Sequence, residues 1–136
     1  MAINMKTIEE WIAESNARQE EDFGNVVEEM KEVCIGLDNA TLIYTKNVFC
    51  FGKKVEVLFF FQDHVVIGQE KEEYIEIEKL KHDAITHSNL KTNDKNTTLE
   101  LKFANGQSIH LDSLNDNYGT KNWLFARQIK SIFKLI

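Results

Sequence analysis

The sequence contains no proline, only two cysteines and no long apolar segment. Its longest apolar run, residues 57–61, is far shorter than the roughly 18 residues that a membrane-spanning helix needs. The N-terminus has no basic region followed by an apolar stretch, which a secretory signal peptide would require. We therefore expect a cytoplasmic protein without integral membrane association.

Cysteine and histidine are too few and too irregularly spaced to predict a disulfide framework or a metal site. Cys34 and Cys50 have no second pair at zinc-like spacing, and we interpret both as small core residues. The four histidines fit neither the helical pair of metalloproteases nor a zinc finger. A chain of 136 residues can bury one core without such crosslinks, so we predict no metal and no cofactor.

Charge is distributed unevenly along the chain, whose formal net charge is −6. Residues 1–35 contain nine acidic and three basic residues, whereas residues 121–136 contain four basic residues and no acidic one. Neutralising phosphates requires a dense positive surface, which an acidic chain lacks, so we predict no nucleic-acid partner. The split allows contact between the acidic N-terminal arm and the basic end, although the charged faces of surface helices are usually just solvated, and this simpler interpretation is favoured.

Two helices are predicted before the first strand. Thr7 and Glu10 form a capping box that begins a helix over residues 8–18, with its apolar face formed by Ile8, Trp11 and Ile12. Asp22 can cap a second helix, and Gly36 provides its end. The buried stripe of this second helix is predicted to contain Val26, Val27, Met30, Val33 and Cys34. Residues 1–36 therefore form an N-terminal helical arm.

From Thr41 the apolar pattern changes to alternation, which predicts β-strands. We expect three or four antiparallel strands over residues 41–68, with turns at Gly52 and residues 62–64. Further strands are expected at residues 74–77 and 84–87. Residues 88–96 are polar and rich in asparagine, which predicts a mobile loop.

The last strands and the C-terminal helix have the clearest local pattern. Asn105-Gly106 separates two alternating segments, which predicts a hairpin with a type I′ turn because both residues tolerate positive φ. An amphipathic helix is then predicted over residues 123–136, burying Phe125, Ile129, Ile132, Phe133 and Ile136.

This order of elements resembles that of bacterial pleckstrin-homology-like (PH-like) domains related to GRAM-type modules. The resemblance covers residues 37–136 and implies an α+β fold, in which about seven strands form a partly open antiparallel barrel or sandwich capped by the C-terminal helix. With two N-terminal helices added, the chain would be one structural unit. Phosphoinositide-binding members have a lysine-rich motif, which Lys46, Lys53 and Lys54 partly match.

The central aromatic strands are apolar on both faces, so both faces need a cover. If Val55, Val57, Phe59 and Phe61 fill the interior, an apolar patch is left that consists of Phe49, Phe51, Leu58 and Phe60. The second helix, a second copy of the chain or a partner segment would cover it. These four residues are the predicted partner interface.

No predicted group of residues indicates catalysis. Ser108, His110 and Asp112 lie on one strand face, where neighbours are about 7 Å apart and too distant to hydrogen-bond directly. The acidic clusters are expected to be solvated, whereas catalytic carboxylates need environments that separate their pKa values.

The sequence is therefore compatible with three functional classes. The first is a non-enzymatic interaction module for protein contact or self-association, built on the PH-like scaffold. The alternative is a binder of a small anionic ligand or lipid headgroup at the open end of the barrel, near Lys46, Lys53 and Lys54. An enzyme is the third class, and we predict that the chain is not one.

Overall fold

The structure, a computed structural model, describes residues 21–47, 53–117 and 122–136. Its elements in chain order are helix α1 (Glu21–Val33), strands β1 (Leu42–Lys46), β2 (Glu56–Phe60), β3 (His64–Glu70), β4 (Ile75–Lys81), β5 (Ile85–Thr92), β6 (Thr97–Phe103) and β7 (Ser108–Asp112), and helix α2 (Asn122–Leu135). Single 3₁₀ turns, Leu37–Asn39 and His82–Ala84, precede β1 and β5.

The strands form two antiparallel sheets instead of one barrel. Sheet one has the strand order β1-β2-β3-β4, and sheet two has the order β5-β6-β7. The 3₁₀ turn His82–Ala84 stands between β4 and β5, and the two strands belong to different sheets. The predicted PH-like fold, a partly open barrel or sandwich of about seven strands, is therefore wrong, because the strands of the described residues divide into a four-stranded and a three-stranded sheet and do not close into a barrel.

The prediction of two N-terminal helices is also corrected. Within the described ranges, α1 alone precedes the strands, and the other predicted helix, residues 8–18, lies outside them. The buried side chains of α1 follow the spacing i, i+3, i+4 and i+7 from Phe23, and the buried Cys34 continues this stripe directly after the helix. Phe23 was not predicted to contribute to the stripe. This spacing turns Val33 toward solvent, and it is 57% exposed.

An inner core joins the two sheets and α2. It contains buried side chains from strands of both sheets and from the helix: Leu42, Tyr44, Leu58, Phe60, Val65, Ile67, Leu80, Leu99, Leu101, Phe103, Ile109, Leu111, Ile129 and Ile132. Burial of a large apolar side chain stabilises a fold by about 1.5–3 kcal/mol, so this cluster contributes substantially to stability.

An outer core lies between α1 and the opposite face of sheet one. Its buried members are Phe23, Val26, Val27, Met30, Cys34, Leu37, Ala40, Val55, Val57, Phe59 and Val66. Sheet one is thus covered on both faces, by α1 on one side and by the inner core on the other. Cys34 is buried as predicted, whereas Cys50 lies outside the described residues.

The two faces of β2 are reversed relative to the prediction. Val57 and Phe59 face α1, while Leu58 and Phe60 point into the inner core. In a strand that is covered on both sides, both alternating sets of side chains are apolar. The alternation alone therefore does not show which set packs in the inner core and which packs against α1.

Helix α1 approaches the backbone of sheet one closely at Gly68 in β3. A Cβ atom at this position would lie 2.9 Å from Met30 Cγ and 2.9 Å from Val26 Cγ1. Only glycine therefore leaves both side chains in place.

The hairpin between β6 and β7 is confirmed, but its turn type is not. Gly106 has a φ of 91°, whereas Asn105 is not among the residues with positive φ. The Gly106 N–H donates to the Phe103 carbonyl at 3.0 Å, and the Phe103 N–H donates to the Gln107 carbonyl at 2.9 Å. The turn is thus a three-residue loop with glycine in the left-handed position, not a type I′ turn.

The predicted polar loop over residues 88–96 is mostly a strand. β5 continues to Thr92 and pairs with β6 along its length. It lies at the edge of sheet two, where polar side chains such as His87, Ser88 and Lys91 face solvent. Polar residues are ordinary at a sheet edge because they discourage unwanted pairing.

Helix α2 packs against strands of both sheets. Ile129 and Ile132 are buried in the inner core, and the ring of Phe125 meets Tyr44 edge-on at a centroid distance of 5.3 Å. Phe133, predicted to be buried, is 39% exposed because it lies on the flank of the buried stripe. The helix therefore closes the inner core through fewer side chains than the sequence pattern predicts.

Candidate functional site

The predicted partner interface does not form an exposed patch in the described part of the chain. Leu58 and Phe60 are fully buried in the inner core, each with 0% exposure. Phe49 and Phe51 lie outside the described residues. Neither Leu58 nor Phe60 is accessible to a partner in this fold.

The three lysines predicted to bind anions are not brought to one place. Lys53 and Lys54 are exposed and line a cleft at the end of sheet one. The Lys46 side chain, only 18% exposed, turns inward, where its Nζ donates to the His110 carbonyl. Two of the three lysines therefore share a surface, and the third is part of the interior.

The cleft at the end of sheet one, which we call the polar cleft, has a volume of about 510 Å³. It is formed where β2 begins, where β3 ends and where the chain turns toward β4. Its lining residues are Asn47, Lys53, Lys54, Val55, Glu56, Gln69, Glu70, Lys71 and Glu72. Three lysines and three glutamates are present, so their formal charges cancel.

Hydrogen bonds fix the wall of the polar cleft. The Glu70 N–H donates to the Val55 carbonyl at 3.0 Å, and the Val55 N–H donates to Glu70 Oε1 at 3.4 Å. The Asn47 side-chain amide donates to the Lys54 carbonyl at 2.9 Å. The backbone that carries Lys54 is thus held between two neighbouring strands.

A row of polar residues crosses sheet one beside the cleft. Lys46, Glu56, Gln69 and Glu76 are cross-strand partners in sequence, from β1 to β4. Lys71 extends the row, since its Nζ lies 4.0 Å from Glu76 Oε1. The row separates the apolar inner core from the open end of the sheet.

Behind the row, Asp116 connects β1 with the segment that follows β7. Its Oδ2 accepts hydrogen bonds from the Tyr44 hydroxyl and from the Asp112 N–H, each at 2.7 Å. Its Oδ1 lies 4.0 Å from Lys46 Nζ, and its carbonyl accepts from the Asn47 N–H at 2.8 Å. Asp116 is only 6% exposed, so these contacts replace most of its hydration.

Burial raises the pKa values of the acidic groups in this region. It raises the pKa of Glu56 above its ordinary value, and the nearby Lys46 ammonium offsets only part of that effect. Burial also raises the pKa of Asp116, against the opposing influence of Lys46 and of the Tyr44 hydrogen bond. For Tyr44, burial and then the Asp116 carboxylate raise the pKa. Two carboxyl groups with raised pKa values therefore lie in this region: Glu56 lines the polar cleft, and Asp116 lies behind the polar row.

Replacing Glu56 by glutamine is expected to reduce the pH dependence of stability between about pH 4 and pH 7. A carboxyl whose pKa is higher in the folded state contributes its stabilisation fully below its ordinary value of 4.5, and loses it as the pH rises through the raised value. Glutamine does not titrate, so the variant should gain stability relative to the wild type toward pH 7. Denaturant unfolding of both proteins across this range measures the difference.

The exposed Glu73 provides the matched control for this measurement. A Glu73→Gln variant should follow the wild-type pH profile. A wild type that gains stability relative to Glu56→Gln as the pH rises would contradict a raised pKa at Glu56.

Sequence reasoning missed most of the residues around the polar cleft. Tyr44 and Asp116 are 72 positions apart, and no local pattern connects them. The row from Lys46 to Glu76 becomes visible only once the strand register is known. In β1 and β2 one signal for this row was present in the sequence, because Lys46 and Glu56 are charged residues at the ends of largely apolar strands.

The other sequence candidates have simple structural positions. Ser108 and His110 are exposed on β7, where Ile109 and Leu111 alternate with them as core residues. In residues 21–47, 53–117 and 122–136, no three histidine, cysteine or acidic side chains come together in a group that could hold a metal ion. No helix in these ranges combines the length and apolarity needed to cross a bilayer.

Comparison with known proteins assigns the chain to a family. It belongs to the family described as "Protein of unknown function (DUF3908)", whose model matches residues 4–127. No curated protein and no solved structure matches the chain. The family match does not connect the chain to PH-like or GRAM-type domains.

Proposed function

We propose that this member of the DUF3908 family is a non-enzymatic interaction module that binds a charged segment of another protein in the polar cleft. The observation that supports this proposal is the arrangement of Lys53, Lys54 and Lys71 beside Glu70 and Glu72 on a preformed wall. A wall that hydrogen bonds already hold in place loses little conformational freedom on binding.

The balance of charges favours a ligand that carries both signs. A purely anionic ligand would meet Glu70 and Glu72 as well as the lysines, and like charges in contact are unfavourable. A polypeptide segment with acidic and basic side chains can satisfy both sets. Its backbone could also pair with polar groups of the cleft such as Gln69 and Asn47.

A direct test uses amide chemical shifts of the labelled protein during titration with three peptides: one of glutamate and lysine in equal numbers, one of glutamate and one of lysine. We expect the mixed peptide to shift the amides of residues 53–56 and 69–72 at lower concentration than either single-sign peptide. The double variant Lys53→Gln/Lys54→Gln should weaken this binding at least about fivefold, which corresponds to one weak surface ion pair.

The matched control is Lys91→Gln, since Lys91 is exposed on β5 and does not line the cleft. This variant should bind the mixed peptide like the wild type. Shifts that spread over the whole surface, or equal losses in the control and the double variant, would contradict a defined site.

A second candidate function is binding of a small anion or an anionic lipid headgroup. Lys53 and Lys54 favour it, because they are adjacent and exposed, and neither forms a salt bridge with a described residue. Inorganic phosphate in the same titration, and sedimentation with phosphatidylserine vesicles at low salt, test it. Phosphate shifts without peptide shifts would replace the first proposal by this one, and vesicle binding would identify the headgroup as the source.

A further inference from the structure

The two described helices lie on different sides of sheet one. α1 packs in the outer core, and α2 packs in the inner core together with strands of sheet two. The sheet and its side chains therefore separate them. Within the described residues, their solvent-facing surfaces lie on separate sides of the sheet, where each is exposed to a second molecule.

The solvent-facing surface of α1 is acidic with an apolar end. Glu28, Glu29 and Glu32 are exposed along it. Val33 is 57% exposed and Ile35 is fully exposed where the helix ends. On the helix, Glu29 and Val33 are one turn apart on the same flank, and Lys31 lies on the other flank.

The solvent-facing surface of α2 is basic with an apolar end. Trp123, Arg127, Lys130 and Lys134 are exposed at spacings i, i+4, i+7 and i+11, which places them in one stripe opposite the buried Ile129 and Ile132. Trp123 is 63% exposed and stands at the start of the helix. The helix contains no acidic residue.

We propose that α1 of one molecule packs antiparallel against α2 of a second copy of this chain. In this orientation Val33, at the end of α1, meets Trp123, at the start of α2. One turn further along, Glu29 meets Arg127, because Glu29 is four residues from Val33 on α1 and Arg127 is four residues from Trp123 on α2. Charge and apolar character are therefore complementary in the same register.

Antiparallel packing is also the orientation that the helix dipoles favour. The positive N-terminal end of each helix then lies beside the negative C-terminal end of the other. In a parallel arrangement, Trp123 would instead meet the polar beginning of the exposed α1 stripe near Asn25. The two apolar ends would then remain in water.

The association is expected to be weak and sensitive to salt. Exposed ion pairs are screened within about 8 Å at physiological ionic strength, so each contributes little. The contact also joins two different surfaces. It closes into a dimer if both α1–α2 contacts form between the same two molecules, and otherwise it extends from molecule to molecule.

The decisive experiment is charge exchange between the two helices, followed by sedimentation velocity at about 100 μM protein and low ionic strength. One variant carries Arg127→Glu and the other carries Glu29→Lys, the two residues that this register brings together. Each variant alone should associate at least about fivefold more weakly than the wild type. An equimolar mixture, and a single chain with both changes, should associate like the wild type.

The matched controls reverse exposed charges elsewhere, as Lys91→Glu on β5 and Glu73→Lys before β4. Neither should change the wild-type association. All of the substituted positions are exposed, and circular dichroism confirms that the variants fold. None lines the polar cleft, so failure of this proposal and failure of the cleft proposal are separate results.

A second readout does not need the charge variants. In a Trp11→Phe background, Trp123 emission should shift to shorter wavelength as protein concentration rises, and the shift should disappear at high salt. A monomer at every concentration would overturn the proposal. So would self-association that the charge variants leave unchanged, or single variants that fail to complement each other when mixed.

Discussion

Replacing Phe60 by alanine is expected to lower the free energy of unfolding by about 3–5 kcal/mol. The side chain is fully buried in the inner core, among residues of both sheets and α2. Its removal loses the transfer free energy of the ring and leaves a cavity that rigid neighbours fill only in part. Small domains are stable by only about 5–15 kcal/mol, so much of the variant should unfold on mild heating.

Equilibrium unfolding in urea measures this change, with Tyr74→Ala as the matched aromatic control. Tyr74 is 61% exposed, and its replacement should alter stability by less than about 0.5 kcal/mol. The comparison also decides between two interpretations of Phe60. A residue on a partner-binding patch could be truncated in the free protein without loss of stability, and that result would contradict the inner core described above.

Replacing Asp116 by alanine is expected to cost about 2–4 kcal/mol of stability. The change leaves the Tyr44 hydroxyl and the Asp112 N–H without their acceptor, and each buried donor without a partner costs about 1–3 kcal/mol. It also removes a carboxylate that lies 4.0 Å from the partly buried Lys46 ammonium. The polar segment after β7 would then lose its main connection to β1.

A double-mutant cycle separates these contributions. Tyr44→Phe alone should cost about 1 kcal/mol, because it removes a single hydrogen bond while keeping the ring. Combined with Asp116→Ala, it should add little further loss, since the shared contact is already gone. Asp94→Ala, at an exposed position, is the control. Full additivity of the two changes would show that the hydrogen bond contributes nothing to stability.

Local patterns in the sequence predicted the elements that depend on local chemistry. The β6–β7 hairpin follows from Asn105-Gly106 between alternating segments, and α2 follows from a stripe at helical spacing. Both elements are present. The turn type was predicted wrongly because both a two-residue and a three-residue loop place glycine at positive φ. The sequence does not show whether Ala104 belongs to the strand or to the loop.

The sequence did not predict which element covers each face of a strand. β2 is apolar on both faces because α1 covers one and sheet two the other, so Leu58 and Phe60 were assigned to a partner surface. β5 was instead predicted partly as a loop, because a strand at the edge of a sheet can contain polar residues such as Asn89 and Lys91. In each strand, the decisive information is what lies next to it in space.

The candidate site was the least predictable part of the chain. The adjacent lysines Lys53 and Lys54 are predicted from the sequence as anion-binding candidates, and both line the polar cleft. Lys46 has the same charge but an interior position, because it alternates onto the inner face of β1 with Tyr44. The sequence did not predict Asp116 as a site residue, because its partners Tyr44 and Lys46 are about 70 positions away along the chain.

Because α1 packs directly against Gly68, the side chains at positions 26, 30 and 68 depend on one another. Because a side chain at 68 would enter the space of Val26 and Met30, bulk can be added to the strand only if it is removed from the helix. Surveys that change one residue at a time would therefore understate which amino acids this fold can accept there. Segments far apart along the chain have to vary together, and the spacing between helix and sheet sets the limit for all three.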